Sequence, residues 1–242
     1  MEVENKENKE NLYEINKINQ GLILLPKNTN HQYTTVLIWL TGMEEPPEDY
    51  EEMFNSLLLP HPERNKIIIL CGEKKKVTGF RLDIIYGDEA FSWFDVYDFN
   101  DISMKSINFE EVKNSANKII KIIEEEAKYL GGYENIFLGG FSQGACMSLY
   151  IGCSYNHLLG GIISCSGALF PDTVINKENN KLKIFVSHGD VDEQITKEIN
   201  ELSLKKINNF TEIETHHYPD VGHYIEENTI NDLGNFFYKF MK

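Results

Sequence analysis

The sequence predicts an α/β protein built on a mostly parallel central sheet with helices on both faces. Three observations lead there. Apolar runs of strand length, such as 34–40, 67–71 and 182–187, alternate along the chain with longer segments of helical period. Several of those runs are unbroken in their apolar character, as strands sandwiched between two helical layers are. The chain has 242 residues, 41% of them hydrophobic, enough for one sizeable core and too few for two comfortable ones. A sheet of this kind gathers its ligand chemistry at the carboxyl ends of its strands.

Each element can be justified in turn. Residues 1–18 are rich in Glu, Lys and Asn with almost no apolar period, so a disordered or mobile leader is expected, with the folded domain in 19–242. Gly21-Leu22-Ile23-Leu24-Leu25 reads as a first strand and 34–40 as a second, more deeply buried one. The second ends in Thr41-Gly42-Met43-Glu44-Glu45-Pro46-Pro47, where a glycine lets the backbone approach a ligand; taken alone, this is an ordinary strand-end turn. Residues 47–58 open with Pro and acids, as a helix should. After the strand at 67–71, no period holds over 72–100, yet the segment carries Phe80, Phe91, Trp93, Phe94, Tyr97 and Phe99. Aromatics in irregular chain wall a pocket or plug a core, and the sequence favours neither. Residues 109–130 place Val112, Ala116, Ile119, Ile123 and Ala127 on one helical face. Strands are expected at 135–138, 161–165, 182–187 and 213–218, and helices from Gln143 through Ile151, at 194–209 and at 229–241.

Composition excludes some partners. A net charge of −15 and a pI near 4.9 leave no clustered basic face for nucleic acid. No run of eighteen apolar residues occurs, and the first twenty residues contain no apolar signal core, so a soluble cytoplasmic protein is expected. Cys71, Cys146, Cys153 and Cys165 lie in apolar surroundings without a C-x-x-C pair and read as small buried hydrophobes in a reducing compartment. The histidines show no ligand spacing beyond the adjacent His216 and His217, so no metal is expected.

The chemistry centres on Gly139-Gly140-Phe141-Ser142-Gln143-Gly144-Ala145, an apolar strand that turns abruptly at a serine into a helix. Gly140 and Gly144 flank Ser142 because a turn this tight brings strand and helix backbones together. Serine needs a base to take its proton and an acid to hold that base. His223 lies in a loop between the last strand and last helix, and Asp190 and Asp192 follow the strand at 182–187, all at the same end of the sheet. Spacing alone leaves the choice between the two aspartates open. His216 and His217 point to opposite faces of a strand and read as structural, His188 reads as locally hydrogen-bonded, and His31, His61 and His157 as surface or loop residues.

Together, Gly140-Phe141-Ser142-Gln143-Gly144, Ser92-Trp93-Phe94-Asp95, His188-Gly189-Asp190-Val191-Asp192 and Gly222-His223 resemble the acyl-protein thioesterase and lysophospholipase-like carboxylesterase family over about residues 20 to 242. The resemblance implies an α/β-hydrolase fold without a large lid and no cofactor. It implies hydrolysis of fatty-acyl thioesters on protein cysteines, lysophospholipids or small esters, substrates compatible with transient contact at a membrane surface; it leaves the oligomeric state open. It also implies Ser142 as nucleophile, His223 as base, Asp192 rather than Asp190 as the acid, the backbone amides of Met43 and Gln143 as oxyanion donors, and Trp93 and Phe94 in substrate binding. The family usually reads Leu-His-Gly-Leu-Gly-Asp where this chain has Leu40-Thr41-Gly42-Met43-Glu44-Glu45, a change that bears on the path of the oxyanion loop. The family's proline-containing segment before the aromatic motif is likewise changed here, at 71–78. That altered loop is the one feature favouring a non-catalytic lipid-binding homologue. Glu44, Glu45, Glu48, Asp49, Glu51 and Glu52 would form an acidic rim attracting basic peptide segments, or simply a solvated helix face.

Overall fold

The computed structural model describes residues 12–27, 32–57, 59–79, 89–211 and 213–241. The chain opens with a hairpin, β1 (Tyr13–Ile18) and β2 (Gly21–Pro26), followed by β3 (Thr35–Leu40). A 3-10 turn at Pro47–Tyr50 leads into α1 (Glu51–Ser56), then β4 (Asn65–Leu70), β5 (Glu73–Lys75) and β6 (Ala90–Ser92). The long α2 (Phe109–Leu130) precedes β7 (Ile136–Phe141), α3 (Gln143–Ser154), β8 (Gly161–Cys165), β9 (Ile184–Gly189), α4 (Lys197–Asn208), β10 (Ile213–Tyr218) and α5 (Glu227–Phe240).

Eight of the strands form one sheet in the order β1-β2-β4-β3-β7-β8-β9-β10. From β4 to β10 every neighbouring pair is parallel; β1 and β2 add an antiparallel edge. The two-residue alternation of the buried strands separates two apolar layers. Val36, Ile38, Ile136, Leu138, Ile162 and Val186 pack on one face with the inner stripe of α2 and with α3. Leu37, Trp39, Phe137, Ile163 and Phe185 pack on the other with Phe54 of α1 and Leu233, Phe236 and Phe237 of α5. The expected layering is therefore the observed one.

Local chemistry sets the element ends. The Asn108 side chain accepts from the Glu111 amide and donates to the Glu111 carboxylate, a reciprocal cap on α2. That helix stops at Gly131, whose φ of 79° takes the left-handed conformation that a glycine adopts at least cost. The acid loop delays α4, which begins at Lys197 instead of residue 194.

Two expectations need correcting. The leader cannot reach residue 18, because β1 pairs with β2 over Tyr13–Ile18 and Tyr13 is buried. Only Tyr13 and Ile15 face inward from this strand, so its polar outer face hid the alternation. Residues 1–11, with His31, Leu58 and Phe80, lie outside the described residues. The segment 72–100 is also less irregular than expected, since β5 and β6 form a separate antiparallel pair.

Candidate active site

The sheet order places the site. From β3 the chain steps to β4 on one side, then returns through α2 to β7 on the other side of β3. Strand order reverses there, and the loops leaving β3 and β7 splay apart to form a crevice at the carboxyl edge. Ser142 ends β7 with φ 53° and ψ −119°, a conformation a non-glycine residue adopts only under constraint. The constraint is visible at its flanks: a side chain at Gly140 would meet the backbone of Gly144 at 2.5 Å, and one at Gly144 would meet the Leu40 carbonyl at 2.0 Å.

Ser142 Oγ lies 2.8 Å from His223 Nε2, and His223 Nδ1 lies 2.8 Å from Asp192 Oδ2. The structure thus brings Ser142 and Asp192, 81 and 31 residues from the histidine along the chain, onto one imidazole. The other carboxylate oxygen of Asp192 accepts from the amides of Gln194 and Ile195 at 2.8 and 3.0 Å. Burial pushes the Asp192 carboxyl up, but the hydrogen bond and charge of His223, with the two amides, outweigh it and hold the group below the usual carboxylate range. Asp190 meets Lys197 at 3.3 Å and His217 Nδ1 at 3.5 Å instead. Of the two aspartates that spacing left open, Asp192 is the one whose carboxylate meets the ring. With its proton on Nδ1, the imidazole presents a lone pair to the serine hydroxyl, the arrangement that lets a hydroxyl act as a nucleophile.

Beside the serine, the loop after β3 is tied on several sides. Trp93 Nε1 donates to the Thr41 carbonyl at 2.9 Å, and the Glu44 amide donates to the Phe91 carbonyl at 2.9 Å. Glu44 takes φ 68°, in the left-handed region that glycine favours. The Met43 amide has no hydrogen-bond partner among the described residues. The Gln143 amide opens α3, where N–H groups have no partner within the helix. The Gln143 side chain accepts from the Trp93 amide and the Ser92 hydroxyl and donates to the Phe94 carbonyl, clamping the aromatic segment onto the elbow.

A cleft of about 90 Å³ leads away from Ser142, lined by Met43, Phe94, Val96, Phe99, Met104 and Ile199 among others. The aromatic segment therefore does both things the sequence allowed. Phe94 and Phe99 wall the cleft; Trp93 is buried in the core and braces the loop after β3 from outside the cleft. The Gln143 side chain was not singled out by sequence reasoning because its partners lie 49 to 51 residues away; the amides of Gln194 and Ile195 are only two and three residues from Asp192, but their bonds depend on how the acid loop turns. A larger hollow, about 800 Å³, opens at the amino ends of β9 and β10 beside Leu182, Ile213 and Phe240, and none of Ser142, Asp192 and His223 lines it.

Other expected roles divide. All four cysteines are free and buried, and burial pushes the thiols of Cys146 and Cys165 up to about 11 and about 12. His216 sits against Asp232 and Phe185, a structural placement. His188 departs from expectation: neither ring nitrogen has a hydrogen-bond partner among the described residues, and burial holds its basicity below the ordinary value. No group of three or more His, Cys, Asp or Glu among the described residues has the geometry to hold a metal ion.

A family model described as phospholipase/carboxylesterase matches residues 27–241. The chain belongs to the phospholipase/carboxylesterase family. Within that family it is similar to acyl-protein thioesterase 1 of Eremothecium gossypii, 35% identical over 107 residues that make up 43% of this chain and 45% of that one. It is 29% identical to acyl-protein thioesterase 1 of Yarrowia lipolytica over 157 residues, 62% of this chain and 69% of that one. The chain thus spans about half the length of the first of these relatives and just over two thirds of the second. Among solved structures it is similar to Arabidopsis thaliana SOBER1, with a TM-score of 0.74 and 22% identity over 86% of this chain and 99% of that one. Zea mays acyl-protein thioesterase 2 gives a TM-score of 0.73 and 19% identity over 91% and 98% of the two chains. At such identities these likenesses speak to the fold, and the phospholipase/carboxylesterase member described here has the α/β-hydrolase fold expected from its sequence.

Proposed function

We propose that this protein is a serine hydrolase of fatty-acyl thioesters and esters, acting on acylated proteins and also competent on lysophospholipids or small esters. The observation that carries this reading is the unbroken chain from Ser142 Oγ to His223 to Asp192, with both links at 2.8 Å. Ser142 Oγ attacks the acyl carbonyl carbon as His223 Nε2 takes its proton, and Asp192 stabilises the resulting imidazolium. The carbonyl oxygen becomes an oxyanion received by the amides of Met43 and Gln143. Collapse breaks the bond to sulfur or oxygen, and His223 returns the proton to the leaving group. Water then repeats the sequence on the acyl-enzyme, releasing the fatty acid and restoring the serine.

The apolar cleft beside Ser142 supports an acyl chain as the group transferred. Four buried, free cysteines are compatible with a reducing cytoplasm, and transient contact with a membrane surface would deliver acylated substrates. No helix among the described residues is long and apolar enough to cross a membrane. Rates on palmitoylated peptide, lysophosphatidylcholine and p-nitrophenyl butyrate, measured side by side, test the reading. Ser142→Ala is expected to abolish turnover of all three and labelling by a fluorophosphonate without loss of fold. Retained turnover would remove Ser142 as the nucleophile, and acyl-chain binding without labelling of the unaltered protein would favour a lipid carrier instead.

A further inference from the structure

Glu45 reads in the sequence as one of six acids on an exposed rim, but its carboxylate turns inward. Oε2 accepts from the Gly42 amide at 2.7 Å and from the Tyr50 hydroxyl at 2.5 Å. A side chain at Gly42 would come within 2.5 Å of that same oxygen, so the carboxylate is seated directly on the loop backbone. Tyr50 is itself buried, its ring 5.8 Å from that of Trp39 in β3. The contact therefore runs from the core beneath the sheet to the backbone of the oxyanion loop.

The peptide plane joining Gly42 to Met43 holds the Gly42 carbonyl on one side and the Met43 amide on the other, so fixing one aims the other. Thr41 Oγ lies within donating distance of that carbonyl, 3.2 Å, and of the Glu45 carbonyl, 3.0 Å. Glu45 holds the preceding amide, and Phe91 the following one. We propose that Glu45, footed on Tyr50, is a positioning residue that aims the Met43 amide at the oxyanion. This rests on the hydrolase reading above. Burial raises the Glu45 carboxyl above its ordinary range against the hydrogen bonds from Tyr50 and Gly42, and a group kept there at such expense is consistent with a task beyond surface charge.

An amide acting on charge that develops only in the transition state is read in kcat rather than KM. With p-nitrophenyl butyrate, Glu45→Ala is expected to lower kcat on the order of a hundredfold, as loss of one oxyanion donor does, while KM stays within about threefold. Inhibition by an alkyl trifluoromethyl ketone, whose adduct with Ser142 carries the oxyanion, should weaken in parallel. Glu45→Gln retains an oxygen able to accept both hydrogen bonds and should restore kcat to within about fivefold of the original. Tyr50→Phe, which removes one of the two donors, should fall in between and serves as the test if Glu45→Ala does not fold. In an active parent enzyme, the proposal is overturned by kcat within about twofold in Glu45→Ala, by a Gln variant as impaired as the Ala variant, or by a loss confined to KM. If Glu45→Ala is unfolded, an unchanged kcat in Tyr50→Phe overturns it equally. A parent protein that neither hydrolyses esters nor labels at Ser142 gives a different result, the failure of the hydrolase reading itself.

Discussion

Replacing Asp192 by Asn tests the acid directly, since one carboxylate serves two sets of partners. Its Oδ1 takes the amides of Gln194 and Ile195, while Oδ2 faces His223 Nδ1. An amide side chain can keep its oxygen on the two backbone donors only by turning its NH₂ toward the imidazole. That forces Nδ1 to accept and moves the ring proton to Nε2, opposite the Ser142 hydroxyl, where no lone pair remains to take the serine proton. The same change elsewhere lowers kcat about ten-thousandfold, or about 5.4 kcal/mol at 1.36 kcal/mol per factor of ten. Asp190→Asn is the matched control. Its carboxylate meets Lys197 at 3.3 Å and His217 at 3.5 Å, away from the His223 ring, and kcat should stay within about twofold. Stopped assays on p-nitrophenyl butyrate, with circular dichroism to verify the fold, read both variants. Asp192→Asn retaining more than about one hundredth of the activity would refute the tautomer argument, and equal losses in the two variants would refute the assignment of the acid. The same carboxylate predicts a pH dependence. Folding lowers its pKa, so its contribution to stability is fully present above the unfolded value of about 3.9 and is lost as pH falls through the lower folded value. Since the Asn side chain does not titrate, the Tm advantage of the parent over Asp192→Asn should shrink below about pH 4; a gap constant across that window would contradict the shift.

Further predictions concern stability and chain selectivity. Lys66 and Glu126 meet at 2.6 Å with side chains only 12% and 10% exposed, and the Tyr33 hydroxyl donates to the other Glu126 oxygen. Glu126→Ala should cost about 3 kcal/mol and lower Tm by about 6–12 °C, because a nearly buried ammonium is left uncompensated; a calorimetric drop under about 2 °C would refute that account. Ile199→Trp should fill part of the cleft beside Ser142. Excluding two or three methylenes at about 0.8 kcal/mol each should raise KM for an octanoyl ester about thirtyfold relative to an acetyl ester, whereas equal effects on both would mean that the acyl chain lies elsewhere.

What could be read from the sequence, and what could not, follows from the range of the forces involved. The buried strands, α2 and the elbow were legible because apolar period, caps and flanking glycines are local. The partner order Ser142, Asp192, His223 was legible because each follows a strand and so falls at one edge of the sheet. β1 was not, because an edge strand shows its pattern only on the face it buries, here Tyr13 and Ile15. Choosing between Asp190 and Asp192 required knowing which way a tight loop turns after β9. Trp93 and Glu45 were misread in complementary ways. The aromatic residue looked like substrate contact and braces backbone; the acid looked like solvent-facing charge and lies against Gly42. For Trp93 the deciding partner, Thr41, lies 52 residues away in the chain; for Glu45 the partners are only three and five residues away, and what the sequence does not show is the turn that folds the side chain back onto Gly42.

The altered oxyanion loop is therefore weak evidence for a dead enzyme. The parts proposed to work there are amides, and what an amide needs is a peptide plane held at the right tilt, whichever side chains flank it. Here the hydroxyl of Thr41, the carboxylate of Glu45 and the indole of Trp93 all bond to that short backbone, and Glu44 adopts the left-handed turn that a glycine would have made easier. Trp93 and Glu45 hold the peptide plane joining Thr41 to Gly42, Thr41 Oγ meets the carbonyl of the next, and both planes lie beside a serine whose own backbone is constrained, so the altered side chains leave the loop held rather than loose.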